Sequence, residues 1–106
     1  MAISPVFLYA EYQVSIPFSQ IDWAPINGEM QAFPGLRSKT WLSGVNTHSV
    51  GGFYEFDSIA NAQNYIDGLL TPFAAKVNGN LSVKLFDGDV TRQANIGMNS
   101  PFYHAA

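Results

Sequence analysis

The sequence lacks cysteine altogether and carries little charge. Without cysteine the chain can form no disulfide, no thiolate metal site and no thiol nucleophile. Its charged residues are five basic and eight acidic, 12% of the 106 residues, about half of the usual 25% or so in soluble domains. The formal net charge of −3 argues against a nucleic-acid partner, because such a partner requires a basic surface.

Long apolar runs are also missing. No stretch of the sequence approaches the roughly 18 consecutive apolar residues of a transmembrane helix, so we expect no membrane partner. The first apolar segment, residues 6–10, is too short for a signal sequence and has no basic residue before it. These absences predict a cytoplasmic protein.

Apolar and aromatic residues are abundant instead. Hydrophobic residues make up 47% of the chain, and 8 Phe, 5 Tyr and 2 Trp are present, which excludes intrinsic disorder. The length of 106 residues predicts one domain, residues 1–106, with a single core. A domain of this size cannot easily bury so much apolar surface by itself. We therefore expect a partner subunit, an apolar pocket or both.

Hydrophobic periodicity predicts four strands and two helices. The first helix is expected within residues 22–33. The second begins after a cap at Asp57 or Ser58, and Thr71-Pro72 kinks or restarts it. The predicted strands are Pro5–Ser15, Leu36–Ser43, Val50–Phe56 and Leu81–Asp87, and an irregular tail covers residues 88–106.

The order strand, helix, strand, strand, helix, strand is that of the ferredoxin-like βαββαβ plan, an α+β fold with a four-stranded antiparallel sheet. Two helices cover one face of such a sheet and leave the other face bare. Both faces of every predicted strand are apolar, so we expect the bare faces of two copies to pack together in a homodimer. The tail is also expected to contact the partner, because it contains Val90, Ile96, Met98, Phe102 and Tyr103.

Two adjacent glycines, Gly51 and Gly52, lie inside the third predicted strand. Glycine at such a position indicates a β-bulge or a close approach by another backbone or a ligand. The sequence leaves these alternatives open.

The hairpin and the second helix carry a recognisable pattern, K-x-W…H-x-x-G-G-x-Y-x-F. The pattern residues are Lys39, Trp41, His48, Gly51, Gly52, Tyr54 and Phe56, with further matches at Pro25, Pro34, Gly35, Ala62, Tyr65, Lys84, Phe86 and Asp87. Over residues 16–90 the sequence resembles the YdhR-like monooxygenase family of the dimeric α/β-barrel (antibiotic-biosynthesis-monooxygenase-like) superfamily. The resemblance implies a dimeric α/β barrel that oxygenates a small hydrophobic, aromatic or phenolic molecule without a cofactor.

A cofactor-free oxygenase needs a base, hydrogen-bond donors and an apolar site for an acidic aromatic substrate and oxygen. His48 is the candidate base, because histidine titrates near neutral pH. Trp41, Tyr54 and Tyr65 are the candidate donors to a developing oxyanion. The candidate substrate-binding residues are Tyr9, Tyr12, Arg37, Lys39 and Gly52.

Each candidate also has an ordinary structural interpretation. Trp41 is equally typical of a core or dimer-interface anchor, and Tyr54 and Tyr65 of half-buried packing residues. His48 lies in a predicted hairpin loop, where histidine is usually just exposed. The two basic residues of the second strand share the face of Trp41, where they could neutralise a substrate anion or extend from the barrel edge.

Other chemistries have less support in the sequence. No metal site is predicted, because His48 and His104 lie 56 residues apart and show no ligand spacing. Two further functions remain open. The same pocket could belong to a non-catalytic binding protein, or to an isomerase or cyclase acting on a polyketide- or lactone-like molecule.

Overall fold

The computed structural model describes residues 5–14, 17–77 and 79–103 of the chain. Its elements are β1 (Val6–Gln13), a 3-10 turn (Phe18–Gln20), α1 (Trp23–Gln31), β2 (Leu36–Ser43), β3 (Ser49–Phe56), α2 (Ile59–Tyr65), a π-helical turn (Ile66–Leu70), α3 (Thr71–Lys76), β4 (Ser82–Asp87) and α4 (Arg92–Gly97). The strands form one antiparallel sheet in the order β2-β3-β1-β4. This arrangement confirms the predicted ferredoxin-like fold. Ser15, the predicted end of the first strand, lies outside the described residues.

The two faces of the sheet have different neighbours. Helices α1 and α2 and the π-helical turn pack on one face, which we call the covered face, and the main core lies between them. Side chains alternate along a strand, so Leu8 and Tyr54 belong to the covered face, whereas Phe7 and Phe53 point to the opposite, open face. The core cluster consists of Val6, Leu8, Ala10, Met30, Tyr54, Phe56, Ala62, Tyr65, Ile66 and Leu70.

The open face is apolar only in part. The prediction that every strand is apolar on both faces is wrong for the two edge strands, β2 and β4. Their open-face residues are Ser38, Thr40 and Leu42 on β2 and Ser82, Lys84 and Phe86 on β4. An antiparallel sheet with one solvated face shows this alternation, and only the central pair of strands carries aromatic residues on both sides.

The segment after β4 differs from the predicted irregular tail. Residues 92–97 form the helix α4, which is too short to show a hydrophobic period in the sequence. The chain then folds back over its own open face, where the Phe102 ring lies 5.7 Å from that of Phe7 and 5.2 Å from that of Phe53. Tyr103 packs on Phe7 at 6.0 Å. Three large apolar residues of this segment remain exposed: Val90, Ile96 and Met98.

The two strand glycines allow close approach and form no bulge. A Cβ at Gly51 would collide with the carbonyl oxygen of Ala10 on β1, and one at Gly52 would lie 2.6 Å from Cε of Lys39. The irregularity in pairing lies elsewhere, between Leu36 and Ser38 at the start of β2. Gly51 therefore admits a neighbouring backbone, whereas Gly52 makes room for a side chain of the covered face.

The second helix restarts at Thr71-Pro72, as predicted: α3 begins at Thr71 with Pro72 in its first turn. Ser58 caps α2 by accepting a hydrogen bond at Oγ from the backbone N–H of Asn61, at 3.1 Å. The backbone N–H of Thr71 donates to the carbonyl of Ile66, five residues back, so a π-helical turn joins α2 to α3. Pro72 has no N–H to donate to the preceding turn. The wider π-helical turn accommodates this missing hydrogen bond. None of the helices in the described part is long and apolar enough to cross a membrane.

Candidate functional site

Lys39 lies on the covered face of β2 and points its amine between two aromatic rings. Its Nζ is 3.1 Å from the ring centroid of Trp41 and 4.9 Å from that of Tyr54. The same amine donates a hydrogen bond to Sδ of Met30 on α1, at 3.2 Å. Because thioether sulfur is a weak acceptor, this contact leaves the amine without a strong partner.

Burial lowers the pKa of Lys39 from 10.5 to about 7. The faces of the two rings attract an ammonium ion and oppose this effect. No carboxylate within the described ranges forms an ion pair with the amine to restore an ordinary pKa. Lys39 is therefore present at neutral pH in comparable amounts of the neutral and the charged form, and its neutral form can accept a proton.

Trp41 is held in place by α1 and by the turn before it. The indole Nε1 donates to Oδ1 of Asn27 at 2.9 Å, and the indole ring packs against Phe18 with centroids 5.3 Å apart. Because the indole N–H is already bonded within the chain, Trp41 offers a ligand mainly its ring. Its predicted role as an oxyanion donor would require this hydrogen bond to open.

A cleft of about 420 Å³ opens between α1 and β2 beside these groups. Its volume is within the range of small-molecule sites. Polar and apolar atoms both contribute to its walls, so an aromatic molecule with a polar substituent matches its chemistry. The lining residues are Asn27, Met30, Gln31, Leu36, Arg37, Ser38, Lys39 and Trp41.

Tyr54 and Tyr65 lie behind Lys39 in the core. Both are almost completely buried, and their ring centroids are 5.1 Å apart. Burial raises the pKa of each phenol, so both stay protonated at neutral pH and can act only as donors or neutral acceptors. The Tyr65 hydroxyl makes no hydrogen bond of good geometry among residues 5–14, 17–77 and 79–103, although the Tyr54 hydroxyl lies close to it. An unpaired buried hydroxyl costs about 1–3 kcal/mol of stability.

Tyr12 extends this aromatic group toward α3. Its ring makes an edge contact with Phe73 at 5.5 Å, and burial raises the pKa of its hydroxyl. The covered face thus brings together six of the nine residues predicted from the sequence. These are Tyr12, Lys39, Trp41, Gly52, Tyr54 and Tyr65.

The other three predicted residues lie apart from this group. Tyr9 is on the open face and donates its hydroxyl to Oε1 of Glu11 at 3.0 Å; that hydrogen bond raises the Tyr9 pKa. Arg37 does not share the face of Trp41. The register shift at the start of β2 turns its guanidinium to Oε2 of Glu55, at 2.8 Å, although Arg37 also lines the cleft.

His48 is exposed in the β2–β3 hairpin. It lines a different cleft of about 390 Å³, together with Phe18 and the hairpin backbone. His104, the other histidine, lies outside the described residues. In the described ranges, no three His, Asp or Glu side chains gather as metal ligands would.

Sequence reasoning missed two contributors to the site. Asn27 orients Trp41, and Met30 contacts the lysine amine. Met30 lies in the first predicted helix, residues 22–33, with no feature in the sequence that marks it as a contact of Lys39. Asn27 lies three residues before Met30, on the adjoining part of the same helix surface, and this spacing is the signal that could have identified it.

Sequence comparison places the chain in a family. The family model "Putative mono-oxygenase ydhR" matches residues 9–95, most of the chain and all of the elements around the cleft. The chain therefore belongs to this monooxygenase family. No curated protein has a significant sequence match to it.

Three solved structures share the fold. The NE2512 protein of Nitrosomonas europaea, described as of unknown function, aligns with a TM-score of 0.62 and 15% identity over 80% of this chain and 89% of that chain. Rv0793 of Mycobacterium tuberculosis aligns with a TM-score of 0.54 and 16% identity over 78% and 93%.

The third structure is the monooxygenase from the gene ActVA-Orf6 of Streptomyces coelicolor, in complex with the ligand Nanaomycin D. It aligns with a TM-score of 0.53 and 12% identity over 80% of this chain and 87% of that chain. At such low identity these likenesses show the fold alone.

Proposed function

We propose that this chain is a monooxygenase that acts without a cofactor on a small acidic aromatic molecule in the α1–β2 cleft. The observation that carries the proposal is the Lys39 amine, which faces Trp41 and Tyr54 and has a pKa held near 7. Membership of the monooxygenase family supports oxygen as the second substrate. The fold shared with a monooxygenase that binds Nanaomycin D supports an aromatic small molecule as the ligand.

In the proposed reaction the neutral Lys39 amine removes a proton from an activated ring CH₂, as in an anthrone, or from a phenol conjugated with it. The carbanion passes one electron to O₂, and the carbon radical and superoxide combine to form a C–O bond. The peroxide anion takes the proton back from the Lys39 ammonium, and the resulting hydroperoxide loses water. The CH₂ becomes C=O, one oxygen atom enters the product and the other leaves as water, so the substrate supplies every electron.

The residues around the lysine have distinct roles in this scheme. Trp41 holds the flat substrate against its ring, and the protonated Tyr54 donates to the developing oxyanion. Gly52 leaves the space that the lysine side chain occupies. We assign the base to Lys39 rather than to the predicted His48, because His48 lines a separate cleft.

We further propose that two copies form a homodimer through the open face, as a dimeric α/β barrel. Apolar side chains on that face and on the segment over it support this: Leu42 and Phe86 are 36% and 48% exposed, and Val90 and Met98 are 81% and 80% exposed. Burying them against a second copy would remove this apolar surface from water.

Oxygen uptake with 1,8-dihydroxyanthrone under ¹⁸O₂ tests the activity. We expect uptake above the rate in buffer alone and one labelled oxygen atom in the carbonyl product. Tight binding without uptake would contradict the proposal and favour a binding protein. Product formation without oxygen would contradict it and favour an isomerase or cyclase.

A further inference from the structure

The Tyr65 hydroxyl is a buried polar group that the proposed reaction does not use. Its side chain has no exposed surface and lies among the rings of Phe33, Tyr54 and Phe56, at 5.3, 5.1 and 5.3 Å. Phenylalanine would fill the same volume without a polar atom. The hydroxyl, which finds no partner in the described chain, therefore weakens the folded state.

The two tyrosines on the open-face side of the sheet have hydrogen-bond partners. The Tyr103 hydroxyl donates to the carbonyl of Gly88 at 2.6 Å and accepts from Asn95 at 2.9 Å, and the Tyr9 hydroxyl donates to Glu11. Both of these tyrosines lie on the open-face side. The unpaired hydroxyl belongs to the covered face, where the candidate site lies. This contrast favours a functional reason for Tyr65 over poor packing.

Tyr65 is also joined to the site by direct contacts. The Tyr54 ring lies between the Lys39 amine and the Tyr65 ring. Its centroid is 4.9 Å from Nζ of Lys39 and 5.1 Å from the Tyr65 ring centroid. The π-helical turn begins immediately after Tyr65, and such turns occur often at functional sites. A ligand in the α1–β2 cleft could reach the hydroxyl after a side-chain shift of Lys39 or Tyr54, a change that is common on binding.

We propose that the Tyr65 hydroxyl is the hydrogen-bond donor that selects ligands bearing a phenolic or carbonyl oxygen. The ligand class rests on the proposed function; the donor role rests on the unpaired hydroxyl. Burial raises the pKa of Tyr65, which keeps the donor proton on the hydroxyl at neutral pH. The titratable groups that face it from neighbouring elements are Tyr12 and Tyr54 on the sheet, and both are protonated phenols.

The test compares two proteins with two probes under anaerobic conditions. The wild-type chain and Tyr65→Phe are titrated with 2-naphthol and with naphthalene, and protein fluorescence reports binding. We expect the preference of the wild-type chain for 2-naphthol to fall about tenfold in Tyr65→Phe, the effect of one hydrogen bond. In urea without ligand, the folding equilibrium of Tyr65→Phe should shift about fivefold or more toward the folded state.

Tyr103→Phe is the matched control, because it removes a tyrosine hydroxyl that is paired. It should shift the folding equilibrium toward the unfolded state and leave the preference for 2-naphthol unchanged. An equal preference in the wild-type chain and Tyr65→Phe, or a Tyr65→Phe chain less stable than wild type, would overturn the inference.

The titration also separates this inference from the proposed function. It involves no oxygen, so an inactive protein that still selects 2-naphthol through Tyr65 would disprove the oxygenase and retain the binding site. Full oxygenase activity in Tyr65→Phe together with unchanged selectivity would disprove the inference alone.

Discussion

Several charged and phenolic groups on the open face of the sheet have polar partners, whereas, within the described residues, two such groups on the covered face do not. On the open face Arg37 is paired with Glu55, and the hydroxyls of Tyr9 and Tyr103 are hydrogen-bonded. On the covered face the Lys39 amine contacts rings and a thioether, and the Tyr65 hydroxyl is unpaired. Unpaired buried groups lower stability, so a fold retains them where they serve a ligand. The comparison supports the proposed site on the covered face.

The strongest test of this comparison removes one lysine from each face. Lys39→Met should lower kcat/KM for oxygen-dependent turnover by about 100-fold or more, because a general base contributes on the order of 10²–10⁴-fold. Lys84→Met removes an exposed open-face amine of β4 and should change kcat/KM by less than about twofold. Oxygen-electrode kinetics measure both. Activity retained in Lys39→Met but lost in His48→Ala would place the base in the hairpin.

The pH dependence gives the next largest effect. Because the base must be neutral and the Lys39 pKa is about 7, kcat/KM should rise about tenfold per pH unit below pH 7 and level off above it. The unfolded chain binds this proton up to about pH 10.5, so the free energy of unfolding should also increase with pH from about 7 to 10.5. Urea titrations at several pH values should show this increase in the wild-type chain and lose it in Lys39→Met.

A charge on the open face tests the dimer. Phe86→Glu should raise the dimer dissociation constant about tenfold, because it places a carboxylate in the proposed apolar interface. Val45→Glu is the control, since Val45 lies in the hairpin and is 86% exposed. Sedimentation equilibrium measures both variants. A wild-type monomer of 11.6 kDa at micromolar concentration would contradict the dimer itself.

The smallest expected effect concerns the segment that covers the open face. Phe102→Ala should lower the free energy of unfolding by about 1–2 kcal/mol, less than for a fully buried phenylalanine, because Phe102 is half-buried on Phe7 and Phe53. The kcat/KM of the Phe102→Ala variant should stay within about twofold of the wild-type value. Urea unfolding and oxygen uptake measured on the same preparation check both statements. A large loss of activity at unchanged stability would mean that the open face also takes part in chemistry.

Local patterns predicted the elements well wherever strong signals bounded them. Strand β2 has the predicted bounds, Leu36–Ser43, because Pro34-Gly35 precedes it and a turn-rich segment follows it. The helix cap at Ser58 is also as predicted. The helix α4 was missed, since its six residues show no period.

The candidate site was predicted only in part. The i, i+2 spacing of Lys39 and Trp41 predicts one shared strand face, and the structure has them there. The same rule fails for Arg37, because an irregular register at the start of β2 reverses its direction. Asn27 reaches Trp41 from another element, a contact that spacing within one strand cannot predict.

By itself, the sequence determined the order of strands and helices, the ferredoxin-like plan and the family, because periodicity, glycine and proline signals and the hairpin motif are all local. Only the tertiary structure decided which polar groups have partners. It placed Lys39 between two rings, left the Tyr65 hydroxyl unpaired and paired Arg37 with Glu55. Burial and pairing depend on residues far apart in the chain, and they set the pKa of Lys39 and the hydrogen bonds of Tyr65.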